Sequence, residues 1–505
     1  MIFKYLKGRC YFMNRAQRIE LLKKVDFGDI DGYGDPNLEQ YFLDNDYWNR
    51  LTDEKTFFVI GRKGTGKSSV YRMINELSYN KGFIIENKDF GDFPFEKLLQ
   101  LDDKNFAKPN QYQSIWENLI LNIFTKSITD HPVSDDNNNQ YFEQLNVYAE
   151  TCLGNIVEMH KDVVSRTTRT TLGLHSNFID GNHEVEKTLL IGSGENNLSI
   201  INATLENLII NYFITCSDER RIIIQFDRLD DNYNQYQSLE QYYHAIISLF
   251  KVVYHLNQEF RSKRIINAKI ILYLRSDILK EIGKRDAESA RWDDFSVTIN
   301  WAITNRDDWE HAKLLQMINK RIAVTLKDES VNFETIFDTI DIDLRNQKNV
   351  CQNVFQYMVE RTMHRPRDLI QFCKYIQKEV KETNNLYFRT IKNAEKEYCY
   401  WLVNSELANE INPILKNTEV VYDLLKLLGK RPFSLSDFNE RYRSVHGIEL
   451  SSEQLAYYLY DVGIILNIDT FSKPVKIRSS FRNKGRLDRN MKMIIHPGVW
   501  TGINT

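Results

Sequence analysis

Cysteine is scarce and scattered. Six occur in 505 residues (Cys10, Cys152, Cys216, Cys351, Cys373 and Cys399) with no paired spacing, which excludes a disulfide framework, a zinc knuckle and a Cys-x-x-Cys redox centre, and fits a reducing compartment. No apolar run is long enough to span a bilayer, and the N-terminus carries alternating charges and aromatics where a signal peptide needs an apolar core. A soluble, cytoplasmic protein without membrane contact is expected. Charge of one sign is lacking too: the formal net charge is −3, so any nucleic-acid site is local. His131, His160, His364 and His496 stand isolated, without metal-ligand spacing. Proline is rare at nine, beside abundant Tyr, Phe, Ile, Asn and Lys, a bias that coding composition explains as readily as a sticky surface does.

A chain of this length with 42% hydrophobic residues makes two or three domains. Its most informative segment is residues 61–68, GRKGTGKS, directly after the apolar run Phe57, Phe58, Val59 and Ile60. Glycines at this spacing let the backbone curl so that successive N–H groups face a phosphate at the start of the next helix. Gly61, Arg62, Lys63, Gly64, Thr65, Gly66, Lys67, Ser68 and Ser69 are therefore the candidate nucleotide contacts. Lys67 reaches the β- and γ-oxygens, and Ser68 offers its hydroxyl to Mg²⁺.

Residues 221–231 read RIIIQFDRLDD, an apolar run suited to a parallel strand buried on both faces, with Asp227 at its carboxyl end. Asp227 is the candidate magnesium carboxylate, since ligands of such sheets sit at that end. Asp230 is the candidate that polarises the attacking water; the competing reading is that Asp230 and Asp231 cap a loop. A third run, KIILYLRSD over 269–277, ends in Arg275, either a γ-phosphate sensor or half of a local pair with an Asp.

The GRKGTGKS loop, the FDRLDD strand end and the LRSD strand end together resemble P-loop ATPases of the AAA+ and STAND superclass, near the KAP-type branch. The chain is similar to a prokaryotic ATPase family there, which also shows an acidic, aromatic lead-in like DGYGDPNLEQYF (31–42), and the resemblance spans most of residues 30–380. It implies ATP and Mg²⁺ as cofactors, the roles given above for Lys67, Ser68, Asp227, Asp230 and Arg275, and work in anti-phage defence beside a separate effector. No guanine-reading NKxD motif is present, which favours ATP over GTP.

The loop and the acidic strand lie about 150 residues apart, more than a compact core needs, so an insertion is expected at about 90–215. Trp116, Leu119, Ile120, Ile123 and Phe124 form one helical stripe in it, residues 203–214 a second, 134–140 a solvated loop, and the Thr-rich stretch 167–186 a protruding hairpin or lid. Helices are expected at 306–323 and 351–363, then at HRPRDLIQFCKYI, where Pro366 suits a first helical position. Arg365 and Arg367 then sit at a helix start, a poor place for cations unless an anion is near. The run resembles the second sensor of AAA+ and initiator ATPases, which implies γ-phosphate contact by these arginines; pairing with Asp368 or a neighbouring helix is the alternative.

Beyond residue 418, helices at 418–428, 436–446 and 451–462 (with a Ser451/Gln454 capping box) precede strands at 464–468 and 475–478, a winged-helix-like pattern. Residues 420–505 carry thirteen Lys and Arg against eight Asp and Glu, a net +5 that leaves −8 elsewhere. Lys473, Lys476, Arg478, Arg482, Lys484, Arg486, Arg489 and Lys492 face one acid, Asp488, over 473–492, which suits DNA or RNA phosphates or an acidic protein surface.

The expected architecture is an α/β P-loop core with helical insertion, helical lid and winged-helix-like end. The segments are a lead-in (1–50), core (51–300), lid (301–415) and C-terminal module (416–505). The expected activity is an ATPase switch controlling homo-oligomer assembly or a protein effector. An initiator-like DNA-binding ATPase and a nucleotide scaffold without turnover are the alternatives.

Overall fold

Short, unbroken apolar runs with β-branched and aromatic residues make strands that are covered on both faces. Three such runs, β1 (Phe58–Gly61), β3 (Ile222–Asp227) and β4 (Ala268–Arg275), join two more polar ones, β2 (Ile84–Asp89) and β5 (Ser296–Ile299), in an all-parallel sheet of spatial order β2-β3-β4-β1-β5. The inner strands β3, β4 and β1 are buried throughout, whereas β2 and β5 at the edges are partly exposed. The computed structural model describes residues 13–52, 55–79, 81–90, 108, 110–133, 136, 139–153, 197–217, 220–229, 239–304, 306–337, 342–343, 351–412, 414–415, 417–469, 476–483 and 485–505. Asp230, Asp231, Lys473, Lys484, the stretch 167–186 and most of 134–140 lie outside them.

By its internal packing the chain divides into two units, one of residues 44–62 and 67–299, the other of 1–43, 63–66 and 300–505. The sheet belongs to the first. The helix Leu239–Ser262 buries a stripe that includes Ile246, Phe250, Val253 and Leu256, and Phe250 stacks on Phe58 with ring centroids 4.6 Å apart. Between β2 and β3 the helices Gln113–Asp130 and Asn197–Thr215 enclose the expected stripes and pack on each other. Their contact is not purely apolar. The Asn118 amide donates to Asn202 at 2.9 Å, Asn122 to Asn118 at 2.9 Å, and the Tyr148 hydroxyl to Asn122 at 3.0 Å, so that these buried polar groups satisfy one another.

The second unit is mostly helical. Its N-terminal helix Arg15–Lys24, opened by an Asn14/Gln17 capping box, places Ile19 and Leu22 in the same core as Leu314 and Ile318 of the helix Lys313–Leu326. The lead-in seen in the sequence is built into this core. Arg321 donates to Asp35 at 3.3 Å and lies 4.1 Å over the Tyr41 ring, and the Tyr41 hydroxyl bonds Asp35. Gly28 sits against this cluster with φ +71°, where a Cβ would fall 2.2 Å from both Arg321 Nη1 and the Tyr41 hydroxyl.

Several elements differ from expectation. The helix expected over 306–323 begins with a tight 3₁₀ turn, Arg306–His311, and runs on as Lys313–Leu326. The one expected over 351–363 is shorter: β7 (Cys351–Gln352) pairs antiparallel with β6 (Ile342–Asp343), and Asn353 caps a helix of only Val354–Val359. The expected 436–446 helix is Leu435–Tyr442, started one residue earlier by the Ser434/Asp437 capping box. At the C-terminus, helices Thr418–Leu428 and Ser452–Val462 flank it, and the expected hairpin is a three-stranded antiparallel sheet of order β10-β8-β9: β8 (Ile465–Asp469), β9 (Lys476–Arg478) and β10 (Lys492–Ile495). The final helix, Pro497–Ile503, packs on Phe388–Trp401 with Gly502 against the Cys399 carbonyl, while Gly498 lies against the Arg361 carbonyl.

Candidate functional site

The carboxyl edge of the parallel sheet collects the polar residues that the sequence singled out. Gly61 ends β1 and stands in register with Arg275, the last residue of β4. Asp227 ends β3 and stands in register with Asp89, the last residue of β2. Asp89 is a second strand-end carboxylate that the sequence reading missed; its signal was the IIENKD run, which ends in an acid as IIIQFD does. The strand order brings β4 between the loop strand and the acidic strand.

After β1 the chain turns through Gly64 (φ +76°) and Gly66 (φ +94°), both in the left-handed region open to glycine, and enters the helix Lys67–Tyr79. Lys67, Ser68 and Ser69 are thus its first turn, where N–H groups lack intrahelical partners and the dipole attracts anions. The helix starts with no acidic side chain in that turn. Lys67 Nζ folds back on the loop, 3.3 Å from the Gly61 carbonyl and 3.4 Å from that of Arg62.

Arg275 is buried and pairs with Asp277 through two bonds, Nε at 3.0 Å and Nη2 at 2.6 Å. Burial pushes the Asp277 carboxyl up, but the charge and hydrogen bonds of Arg275, with a contribution from Lys67, hold it below the usual carboxylate range. The local pairing that the sequence left open for Arg275 is therefore made. Asp227 is buried; the next residue, Arg228, has φ +61°, uncommon for a residue with a side chain, and donates to Asp89 at 3.0 Å. Behind the site, the Tyr273 hydroxyl donates to Gln225 at 2.7 Å, and the Gln225 amide donates to the Tyr71 carbonyl and to Asn87. This buried network ties β4, β3 and β2 to the loop's helix. Burial, reinforced by Asp227, raises both tyrosine hydroxyls and keeps them neutral. Asp230, the expected water-polarising acid, lies outside the described residues.

The other unit holds the loop tip, residues 63–66, and the RPRDL run. Pro366 occupies the first turn of the helix Pro366–Thr383, and Arg365 is its N-cap residue. An anion does meet the arginines, and it is carboxylate. Arg365 is fully buried, bonds Asp368 twice at 3.0 Å, and reaches Glu410 at 3.1 Å and Glu406 at 3.8 Å. Its Nη1 also lies 3.4 Å from the Lys63 carbonyl. Burial drives Asp368 up, while the two arginines hold Glu406 down against its own burial. Arg367 is partly exposed; its side chain bonds Glu406 and the Ile30 carbonyl, and its backbone N–H lies 3.4 Å from the Gly64 carbonyl. Glu406 and Glu410 gave no sequence signal, because they follow the arginines by some forty residues. Trp301, also missed, donates its indole N–H to the Thr65 carbonyl at 2.8 Å.

Among the described residues no group of three or more His, Cys, Asp or Glu is arranged to hold a metal, and no helix is long and apolar enough to cross a membrane. Hard Mg²⁺ in a nucleotide site takes one or two protein oxygens with phosphates and water, and the Ser68 hydroxyl and Asp227 carboxylate are donors of that kind.

Residues 312–406 match the family model of the FunZ-associated C-terminal helical domain. Along 514 aligned residues the chain is 24% identical to the putative transposon gamma-delta 80.3 kDa protein of Escherichia coli (strain K12), covering 95% of this chain and 67% of that protein. A solved structure of Drosophila ORC bound to DNA aligns over 100% of this chain and 94% of its own at 11% identity and a TM-score of 0.28, a level that carries no inference.

Proposed function

We propose that the chain is a Mg²⁺-dependent ATP-binding and ATP-hydrolysing switch of the AAA+/STAND kind. One observation carries the reading: a loop with left-handed Gly64 and Gly66 leads from the buried parallel strand β1 into a helix that begins Lys67-Ser68, on a sheet in which β3, separated from β1 by β4 alone, ends in Asp227. Such a loop turns backbone N–H groups and a lysine on a polyphosphate. Lys67 then binds the β- and γ-oxygens, Ser68 and Asp227 hold Mg²⁺, Asp230 orients the attacking water, and Arg275 answers the γ-phosphate by exchanging part of its bond to Asp277. Arg367, less enclosed by carboxylates than Arg365, is the better candidate for direct phosphate contact. Residues 301–415 serve as the helical segment that responds to nucleotide, and 416–505 as a winged-helix-like module. The output is assembly of copies of this chain or control of a protein effector, as in the anti-phage systems it resembles.

Phosphate release from Mg·ATP tests this. Asp230→Asn is expected to bind ATP like the wild type while turnover falls about 100-fold or more, as loss of a general base does. Wild-type protein that binds ATP without releasing phosphate leaves only the scaffold reading.

A second reading, contact with DNA, is favoured by one feature. β9 is an edge strand whose Lys476 and Arg478 are exposed, and Arg486 and Lys492 are exposed nearby in sequence. Similarity along most of the chain to a putative transposon protein makes DNA the nucleic acid to try first. Replacing Lys476, Arg478 and Arg486 by Ala is expected to lower the slope of log affinity against log salt by roughly 0.9 per lost phosphate contact, read from titrations at several salt concentrations. An unchanged slope removes the reading.

A further inference from the structure

Three successive carbonyls of the loop tip accept hydrogen bonds from one set of donors: Lys63 from Arg365 Nη1 at 3.4 Å, Gly64 from the Arg367 backbone N–H at 3.4 Å, and Thr65 from Trp301 Nε1 at 2.8 Å. In a trans peptide the carbonyl of one residue and the N–H of the next point in opposite directions. Carbonyls of Lys63, Gly64 and Thr65 drawn toward these donors therefore turn the N–H groups of Gly64, Thr65 and Gly66 the other way. Those three N–H groups are the ones an anion-binding turn offers to phosphate.

We infer that Trp301, with Arg365, is a positioning residue that holds the loop tip in its phosphate-receiving form before nucleotide arrives. The inference rests on the phosphate-loop reading above and adds residues to it. Trp301 makes the shortest of the three bonds and is only partly buried, so its indole N–H acts as a fixed external clamp. Arg365 cannot swing freely: Asp368 holds its Nε and Nη2 and Glu410 its Nη1, with Glu406 at 3.8 Å, and the same Nη1 reaches the Lys63 carbonyl. The carboxylates thus act through Arg365 on the loop. A clamp of this kind serves the phosphate seated in the turn, which ADP and ATP share, and is indifferent to the γ-phosphate.

The test is binding of Mg·ADP and Mg·ATP by titration calorimetry to the full chain, with Lys67→Ala and Trp301→Phe alongside the wild type. Phe keeps a packed ring and removes only the donor. Trp301→Phe is expected to weaken both nucleotides by the same factor, about three- to tenfold, the worth of one hydrogen bond, while the melting temperature without nucleotide stays that of the wild type. Should the Phe variant melt lower, Trp301→Tyr carries the same expectation. Binding that matches the wild type, or a loss confined to ATP, overturns the clamp even as Lys67→Ala upholds the loop reading. A wild type that takes up neither nucleotide overturns both.

Discussion

Lys67→Ala is expected to abolish measurable nucleotide binding, weakening it by a factor on the order of 10³, and with it any ATP turnover. The ammonium lies against the Gly61 and Arg62 carbonyls and, after Arg275, contributes to holding the Asp277 carboxyl below the usual carboxylate range, so its charge already stands at the strand-end groups of the site. A unit charge about 4 Å from a phosphate oxygen at an effective dielectric near 20 is worth roughly 4 kcal/mol, which corresponds to that factor. Loss at the helix start also leaves the N–H groups of the first turn to hold the anion alone, worth much less. Calorimetry with Mg·ATP checks it, and retention of binding within tenfold of the wild type removes Lys67 from the site. Circular dichroism of the variant is expected to match the wild type, because the Lys67 ammonium bonds the Gly61 and Arg62 carbonyls and the residue is not part of the apolar core around the sheet.

Gly502→Ala is expected to be the most damaging single substitution in the helical unit. A Cβ at this position would lie 2.2 Å from the Cys399 carbonyl oxygen and 2.5 Å from a Val403 methyl carbon, and one at Gly498 would lie 2.2 Å from the Arg361 carbonyl oxygen. Backbone oxygens cannot rotate away as a side chain does, so the terminal helix Pro497–Ile503 would have to lift off Phe388–Trp401. Overpacking of this kind costs about 3 kcal/mol. For a unit of this size that lowers its melting midpoint by roughly 6–12 °C. Differential scanning calorimetry resolves the effect, and a midpoint within 2 °C of the wild type would mean that this helix docks more loosely than described. Val499 and Ile503, buried on the same helix, would be exposed with it.

Much of the sheet was legible because its inner strands are apolar almost without interruption. β3 was expected from 222 and ends at Asp227, and β4 ends at Arg275, as the runs IIIQFD and IILYLR indicate. Pro366 marked its helix for a local reason as well, since proline fits the first turn. What escaped were the relations that depend on distant chain. β10 lay hidden in a basic stretch read for its charge; it pairs with β8 over Lys492 to Ile495, and only Met493 and Ile495 on its alternating face are buried. The 351–363 segment looked helical by period, but Cys351 and Gln352 pair with β6. Of the carboxylates around Arg365, Asp368 was in view as a local partner, but Glu406 and Glu410 come from some forty residues on, and Trp301 was an aromatic without a motif. Local pattern reports the strand and the turn; it is silent on which donor a carbonyl will find.

The helical unit is assembled from the two ends of the chain, Ile19 and Leu22 packing in one core with Leu314 and Ile318. During synthesis the leading helix therefore leaves the ribosome long before its partners exist. At about 5–20 residues per second the wait is on the order of tens of seconds. Over that interval the apolar face of this helix lacks its Leu314 and Ile318 partners, so slowed elongation between residues 43 and 300 should cost yield in cells more than a comparable delay after residue 326.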